Sequence, residues 1–402
     1  MSKHILVVSQ YYNPENFRIN DITNEWIKRG YKVTVVTGIP NYPKGRFFKG
    51  YGYFKKRREV INGIKIIRLA IIPRFNNPLF LALNYISFII LGWFWSKFTK
   101  LKADIVFNFE VSPMTQALPA IWFAKRRKIP SYVYVQDLWP ENLQIVGNVN
   151  NKFIVKRVNK MVDYIYRSAT KILVTSPSFK NNIIERGIDE NKIKVWYQYA
   201  EDFFKPIKKE FRKSGENMKI IFAGNIGEAQ GLEILPLVAK QLKTKGFENE
   251  IRFIIVGNGR NKNALTQKVS KEGVNLMFHF VDAVPASLVP KILSDADVAF
   301  VSFKNNELFK KTIPAKLQTY LACGMPILAV ASGETKRIVE EARCGLVSSP
   351  GDVDGTINNI IDFFNCDSRD LSDMSLNSVQ YSRRYFNKKK LMDKIDIYFK
   401  EV

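Results

Sequence analysis

Histidine, cysteine and acidic side chains are scarce in this chain. Its 402 residues hold 2 His and 3 Cys, and 37 Asp and Glu stand against 62 Lys and Arg. Three thiols (Cys323, Cys344, Cys366) offer no disulfide framework, and with two imidazoles they offer no Cys/His metal cluster. The N-terminus lacks a long apolar core with a cleavage site. One Lys and one His precede Ile5-Leu-Val-Val, which reads as a first strand rather than a signal peptide. The expected address is therefore cytosolic, with free thiols. What is plentiful excludes a mostly disordered chain: 46% of residues are hydrophobic and 13% aromatic. The length suits two domains or three.

The shortage of acid leaves a formal charge of +25, unevenly spread. Residues 1–200 carry 32 basic and 12 acidic side chains (+20), residues 201–402 carry 30 and 25 (+5). Such asymmetry points the first half at a polyanion: nucleic acid, an anionic membrane surface or a phosphorylated substrate.

Both halves repeat one grammar. Ile5–Ser9 is an apolar run followed by a polar loop, an amphipathic stretch from Asn20 to Arg29, and a second run from Lys32 to Thr37. Continuous apolar strands of this kind indicate a parallel sheet covered on both faces. Further strands are expected at Ile64–Leu69, Ile105–Phe109, Ser131–Val135 and Ile172–Thr175. The second half restarts at Lys219, with strands at Ile251–Val256, Leu276–Phe280, Val298–Val301 and Pro326–Ala331. The fold class expected is α/β, two doubly wound Rossmann-like domains facing across a cleft. The charged, apolar-poor stretch Lys205–Asn217 marks the seam. The domains expected are 1–205 and 206–385, with a basic amphipathic helix over 386–402 packing back on the first.

Between Arg74 and Lys97 lie 22 uncharged residues, long enough to span a bilayer as a helix. Asn76, Asn77, Pro78, Asn84 and Ser87 interrupt them, and a span would cut the first domain in two. A core or partner-facing helix and an interfacial membrane-docking helix both fit. Trp93-Phe94-Trp95 beside Lys97, Lys100 and Lys102 has the character of a headgroup-level anchor.

Three motifs carry chemistry. Phe222-Ala-Gly-Asn-Ile-Gly-Glu-Ala-Gln-Gly follows a strand, and Gly224 and Gly227 let the backbone approach a ligand ahead of a helix N-terminus. Val256-Gly-Asn-Gly-Arg repeats the pattern at Gly257 and Asn258 one strand later. In Thr312-Ile-Pro-Ala-Lys316, Thr312 is expected to cap a helix that starts at Pro314 and stops at Gly324-Met-Pro. That helix would direct its positive end, with Lys310, Lys311 and Lys316, at a diphosphate. In the first half, Arg18 follows the first strand in Pro14-Glu-Asn16-Phe-Arg and suits a phosphate. Asp137 ends an apolar strand in Gln136-Asp-Leu-Trp-Pro-Glu141, where a carboxylate can orient a hydroxyl or accept its proton. His4 and His279 read as structural.

The ordered set FAGNIG, VGNGR, ADVAFV, IPAKLQTYLACGMPILA, SGE and CGLV resembles the C-terminal half of retaining glycosyltransferases of the GT-B fold, family 4. The opening residues through NYPKG, with YVYVQDLWPEN, resemble the acceptor domain of its bacterial O-antigen and capsule branch, nearest the WbuB-like, N-acetyl-fucosamine-type transferases. The resemblance implies a nucleotide sugar, UDP-linked, held by the C-terminal domain, and a lipid-diphosphate-linked sugar acceptor held by the N-terminal one. It implies no metal and no further cofactor. By position, Gly224, Asn225, Gly227 and Gln230 line the diphosphate loop. The family's Arg/Lys near Asn225 and Gln230 are missing, which shifts charge neutralisation to Lys316 or Arg18. Its paired glutamates fall on Lys311 and Thr319, leaving Gln318 or Thr319 for the nucleotide, and its His before the Asp is Gln136.

These features lead to a glycosyltransferase, catalysed by Asp137 and Lys316 and seated peripherally on the inner face of the bacterial membrane. Arg18, Asn16 and Glu141 bind the acceptor. A nucleotide-sugar 2-epimerase of the same fold and a non-catalytic basic binding protein are the alternatives. No nucleic-acid module is present, so nucleic acid is not an expected partner.

Overall fold

The structure, a computed structural model, describes residues 2–75, 77–145, 147, 149 and 151–401. The chain forms two compact units, residues 1–196 with 397–402, and 197–396.

In the first unit the strands are β1 (His4–Val8), β2 (Lys32–Gly38), β3 (Arg58–Ile61), β4 (Ile64–Leu69), β5 (Ile105–Glu110), β6 (Ser131–Val135), β7 (Lys171–Val174) and β8 (Ile193–Val195). They form one sheet in the order β3-β4-β2-β1-β5-β6-β7-β8, parallel except for β3 against β4. β1, β5 and β6 are buried almost throughout, as continuous apolar runs require when helices cover both faces. The helices are α1 (Arg18–Lys28), α2 (Pro78–Phe98), α3 (Ala117–Arg127), α4 (Glu141–Ile145), α5 (Lys152–Ser168) and α6 (Pro177–Glu185). The order reverses between β1 and β5, so their carboxyl ends open the crevice in which such sheets bind ligands.

α2 holds most of the uncharged segment. Asn77 caps it by accepting the Leu79 amide at 2.8 Å, and Pro78 supplies the preset first turn. It buries only Asn84, Phe88, Gly92 and Ser96, a stripe spaced by fours. Gln10 donates to Asn84 at 2.7 Å, Asn84 donates to the Ile72 carbonyl at 2.5 Å, and Gly92 lies against Pro119 of α3. By length and composition α2 is long enough to cross a membrane, yet this stripe binds it along the domain. Asn76 lies outside the described residues.

The second unit contains β9 (Met218–Ala223), β10 (Ile251–Val256), β11 (Phe278–Val281), β12 (Val298–Ser302), β13 (Ile327–Val330) and β14 (Gly345–Ser348). All are parallel, in the order β11-β10-β9-β12-β13-β14, so the switch point lies between β9 and β12. Its helices are α7 (Leu235–Thr244), α8 (Lys262–Lys271), α9 (Val289–Ser294), α10 (Glu307–Lys311), α11 (Ala315–Cys323), α12 (Glu334–Ala342), α13 (Val353–Asn365), α14 (Ser368–Tyr385) and α15 (Lys388–Lys400). Apolar clusters built on Ile220, Phe222 and Phe253 on one face, and on Ile221, Ala299 and Leu317 on the other, form the core.

Several local expectations change. Thr312 ends α10, its hydroxyl donating to the Leu308 carbonyl at 2.9 Å, and does not cap α11; Pro314 occupies that N-cap position. The C-terminal basic helix begins at Lys388, after a break that closes α14 at Tyr385. Its last residues belong to the first unit, where the Tyr132 hydroxyl donates to the Tyr398 carbonyl at 2.5 Å. The strand expected from Leu276 starts at Phe278, because Asn275–Met277 closes into a 3-10 turn.

Candidate functional site

In the second unit, the glycine loop that follows β9 at the switch point packs back to back with the one that follows β10. Gly224 has φ +150° and Gly257 φ +139°, conformations that side chains rarely adopt. A Cβ on Gly257 would lie 1.9 Å from the Gly224 carbonyl oxygen, so bare backbone is required there. The Gly224 amide donates to the Val256 carbonyl at 2.9 Å, and the Ile226 amide donates to the Asn258 carbonyl at 2.9 Å. The Gln230 side chain accepts the Gly227 amide at 3.0 Å and closes the loop on itself. From β12, Ser302 donates to the Gln230 carbonyl at 2.5 Å, and Lys304 pairs with Glu228 and Glu233, each at 3.2 Å. Asn225 and Asn258 are exposed on this rim.

Lys316 lies under the first loop. A Cβ on Gly224 would be 3.3 Å from Lys316 Cε and 3.7 Å from Nζ. The ammonium sits 4.0 Å from the centre of the Phe222 ring and has no acidic partner among the described residues. Burial depresses its pKa to about 7. It is placed by α11, whose next turn is locked by Tyr320: the phenol accepts the Ala223 amide at 2.8 Å. A cation beside a glycine loop and the N-terminus of α11 can take up a diphosphate. Thr319, one turn further on, is half-buried. Gln318 is not brought to the loops. It lies two residues on from Lys316, on the far side of the helix, and donates to the Gln198 carbonyl at 3.1 Å. Lys311 ends α10.

In the first unit, Arg18 opens α1 and Asn16 is exposed in the loop before it. The neighbour that organises this loop is Glu15, which the sequence reading passed over. Its buried carboxylate accepts the amides of Asn41 at 2.8 Å, Tyr42 at 2.7 Å and Tyr12 at 3.3 Å, and burial still pushes its pKa up to about 7. Tyr11, Phe17 and Tyr42 lean on one another at 5.1–5.7 Å above it.

Asp137 is held by Ser112, whose amide and hydroxyl both donate to Oδ2 at 2.8 Å. Burial pushes its pKa up against those two bonds. Glu141 opens α4 and accepts from Asn182 at 3.2 Å, while its other carboxylate oxygen is buried without a partner. Glu110 was also missed. It ends β5 opposite Val135, so its side chain shares a sheet face with Val135 and Asp137. It is fully buried, and neither carboxylate oxygen has a hydrogen-bond partner of ordinary geometry. Burial first, then the Asp137 charge, raise its pKa well above the carboxylate range, although the nearby amides of Asp137 and Gln136 oppose this. The Tyr166 hydroxyl is buried without a partner, and burial first, then the Glu110 charge, raise its pKa. The signal was present: a Glu closing a strand that is apolar but for Asn108, at a switch point. Among the described residues, no group of three His, Cys, Asp or Glu is placed to hold a metal ion.

Residues 17–198 match Glycosyltransferase Family 4, and residues 203–381 match Glycosyl transferases group 1. The chain is a GT-B glycosyltransferase. The enzyme is similar over its whole length to the sucrose-phosphate synthase of Thermosynechococcus elongatus, with a TM-score of 0.71, 14% identity and 99% of that chain covered. HepE of Anabaena, solved with UDP and glucose, superposes over 100% of both chains with a TM-score of 0.70 and 13% identity. In sequence the enzyme is 24% identical over 352 residues to a protein described as the colanic acid biosynthesis glycosyl transferase WcaI of Escherichia coli strain K12. That match covers 83% of this chain and 84% of WcaI.

Proposed function

We propose that this glycosyltransferase moves a sugar, with retention of configuration, from a UDP-linked donor to a lipid-diphosphate-linked sugar in bacterial surface-polysaccharide synthesis. N-acetyl-fucosamine is the donor sugar favoured by the resemblance to that branch, and capsule or O-antigen the product class. The description of WcaI supports the polysaccharide setting, and the UDP held by HepE supports the nucleotide.

The observation that carries the reading is Lys316, a cation without an acidic partner among the described residues, set against the bare backbone of Gly224. As the sugar's C1–O bond to the diphosphate breaks, negative charge grows on the departing oxygens. Lys316 and the loop amides stabilise that charge where it appears. The acceptor oxygen bonds to C1 on the face the diphosphate leaves, and its proton passes to Asp137. Arg18 serves the acceptor's phosphate, and Asn16 and Glu141 its hydroxyls. Gly227, Gln230, Gly257 and Asn258 shape the donor loops, Thr319 faces the nucleotide, and Gln318 serves it only by supporting α11.

Incubation with a panel of nucleotide sugars and a lipid-diphosphate-linked sugar tests this. A lipid product heavier by one sugar, with UDP released, is expected. Donor stereochemistry that changes without acceptor would favour the epimerase, and no change in either would favour a binding protein.

A further inference from the structure

We propose that the loop between β2 and β3 and the outer stripe of α2 form one continuous face that docks on an anionic phospholipid bilayer. The inference rests on the reading of a lipid-linked acceptor and specifies where the lipid is met. From Ile39 through Arg58 the sequence places seven Lys and Arg and no Asp or Glu. A tight turn, closed by mutual backbone hydrogen bonds between Gly52 and Lys55 at 3.2 and 3.3 Å, raises Phe54 to its tip with 99% of its surface exposed. A phenyl ring fully in water forgoes the burial that an interface would restore.

The turn stands on a firm base. Buried Arg68 pairs with Glu59, donates to the Asn13 carbonyl at 2.6 Å and lies 4.9 Å from the Tyr51 ring centre. The loop is tied to the segment that leads into α2. The Phe75 amide donates to the Gly45 carbonyl at 2.8 Å, and the Arg74 guanidinium covers the Tyr42 ring at 5.2 Å. Beyond Phe75, the stripe Leu79, Ile86, Ile90 and Trp93 faces outward, and only 28% of the helix's apolar window is buried. Lys97 ends the stripe, 4.8 Å from the Trp93 ring.

Charge selects the occupant. Cations unaccompanied by anions border an apolar stripe, and a second copy of this face would set like charges together. Anionic headgroups complement the cations while acyl chains receive the aromatic tips. The loop leaves the carboxyl end of β2, the edge of the sheet that also carries Glu110 and Asp137, so a lipid-borne diphosphate reaches that edge without leaving the bilayer.

Co-sedimentation with vesicles of phosphatidylcholine, with and without phosphatidylglycerol, tests the assignment. The full chain should bind only the anionic vesicles. Phe54→Ser, and Lys55→Glu with Lys56→Glu, should each weaken binding on the order of tenfold. Both should keep wild-type turnover on a soluble acceptor with a short alkyl chain. Failure of the wild type to bind anionic vesicles, or variants that bind as well as it does, would overturn the proposal. So would a solution dimer that Phe54→Ser dissolves. Vesicle binding with the expected losses, but no transfer to a lipid acceptor, would uphold the docking face and reject the lipid-linked acceptor.

Discussion

At the level of single residues, a diphosphate held by Lys316 would couple donor binding to proton uptake. With its pKa near 7, the free side chain is mostly the neutral amine at pH 8, and an arriving diphosphate must restore the proton. UDP affinity should therefore fall as pH rises above about 7, by up to tenfold per unit, and Lys316→Arg should abolish that slope in titration calorimetry. For folding the sign is opposite. Between about 7 and its ordinary value of 10.5, unfolded Lys316 binds more protons than folded Lys316, so this residue's contribution to stability grows with pH. Glu110 behaves the other way. Its raised pKa means that stability is full below the ordinary carboxylate pKa of 4.5 and declines as pH climbs above it. Glu110→Gln, neutral and of the same shape, should gain stability relative to wild type at pH 8 but not at pH 4. Urea unfolding at the two pH values measures this, and equal differences would show that Glu110 is not held protonated.

Among elements, the glycine loops and α2 are the places where space is tightest. Gly257→Ala would drive a methyl into the Gly224 carbonyl and force a strained φ, costing about 1–3 kcal/mol. Its donor KM should rise more than its acceptor KM. Gly92→Ala would meet Pro119 Cγ at 2.3 Å and part α2 from α3, again at about 1–3 kcal/mol, read as a lower Tm. The strands were legible because apolar runs with buried faces leave little choice: Ile64–Leu69, Ser131–Val135 and Ile251–Val256 have the expected bounds. The edge strands β3, β8 and β14 were not, because half-exposed edges lack that apolar signature. Thr312 was misassigned because a Thr before Ile-Pro suits the end of one helix as well as the start of the next. Glycine spacing exposed the Gly224 and Gly257 loops, whereas Glu110 and Tyr320 matter through neighbours distant in sequence. Gln318 looked available, but only the fold reveals that its amide nitrogen donates to the Gln198 carbonyl.

For the whole molecule, the +20 of residues 1–200 and the near balance of the remainder match two tasks carried by two units. Leaving-group stabilisation by Lys316 and backbone amides predicts that a chelator leaves turnover unchanged; loss of activity restored by added divalent ion would reject it. The Lys316→Ala enzyme should lose on the order of a hundredfold in turnover while remaining folded. The account depends most on the diphosphate being held at Lys316 and the paired glycine loops. Titration of UDP and of uridine into the wild type and Lys316→Met measures this directly. The wild type should bind UDP far more tightly than uridine, and Lys316→Met should lose most of that difference while binding uridine as before. A variant that keeps the full preference for UDP would contradict the assignment.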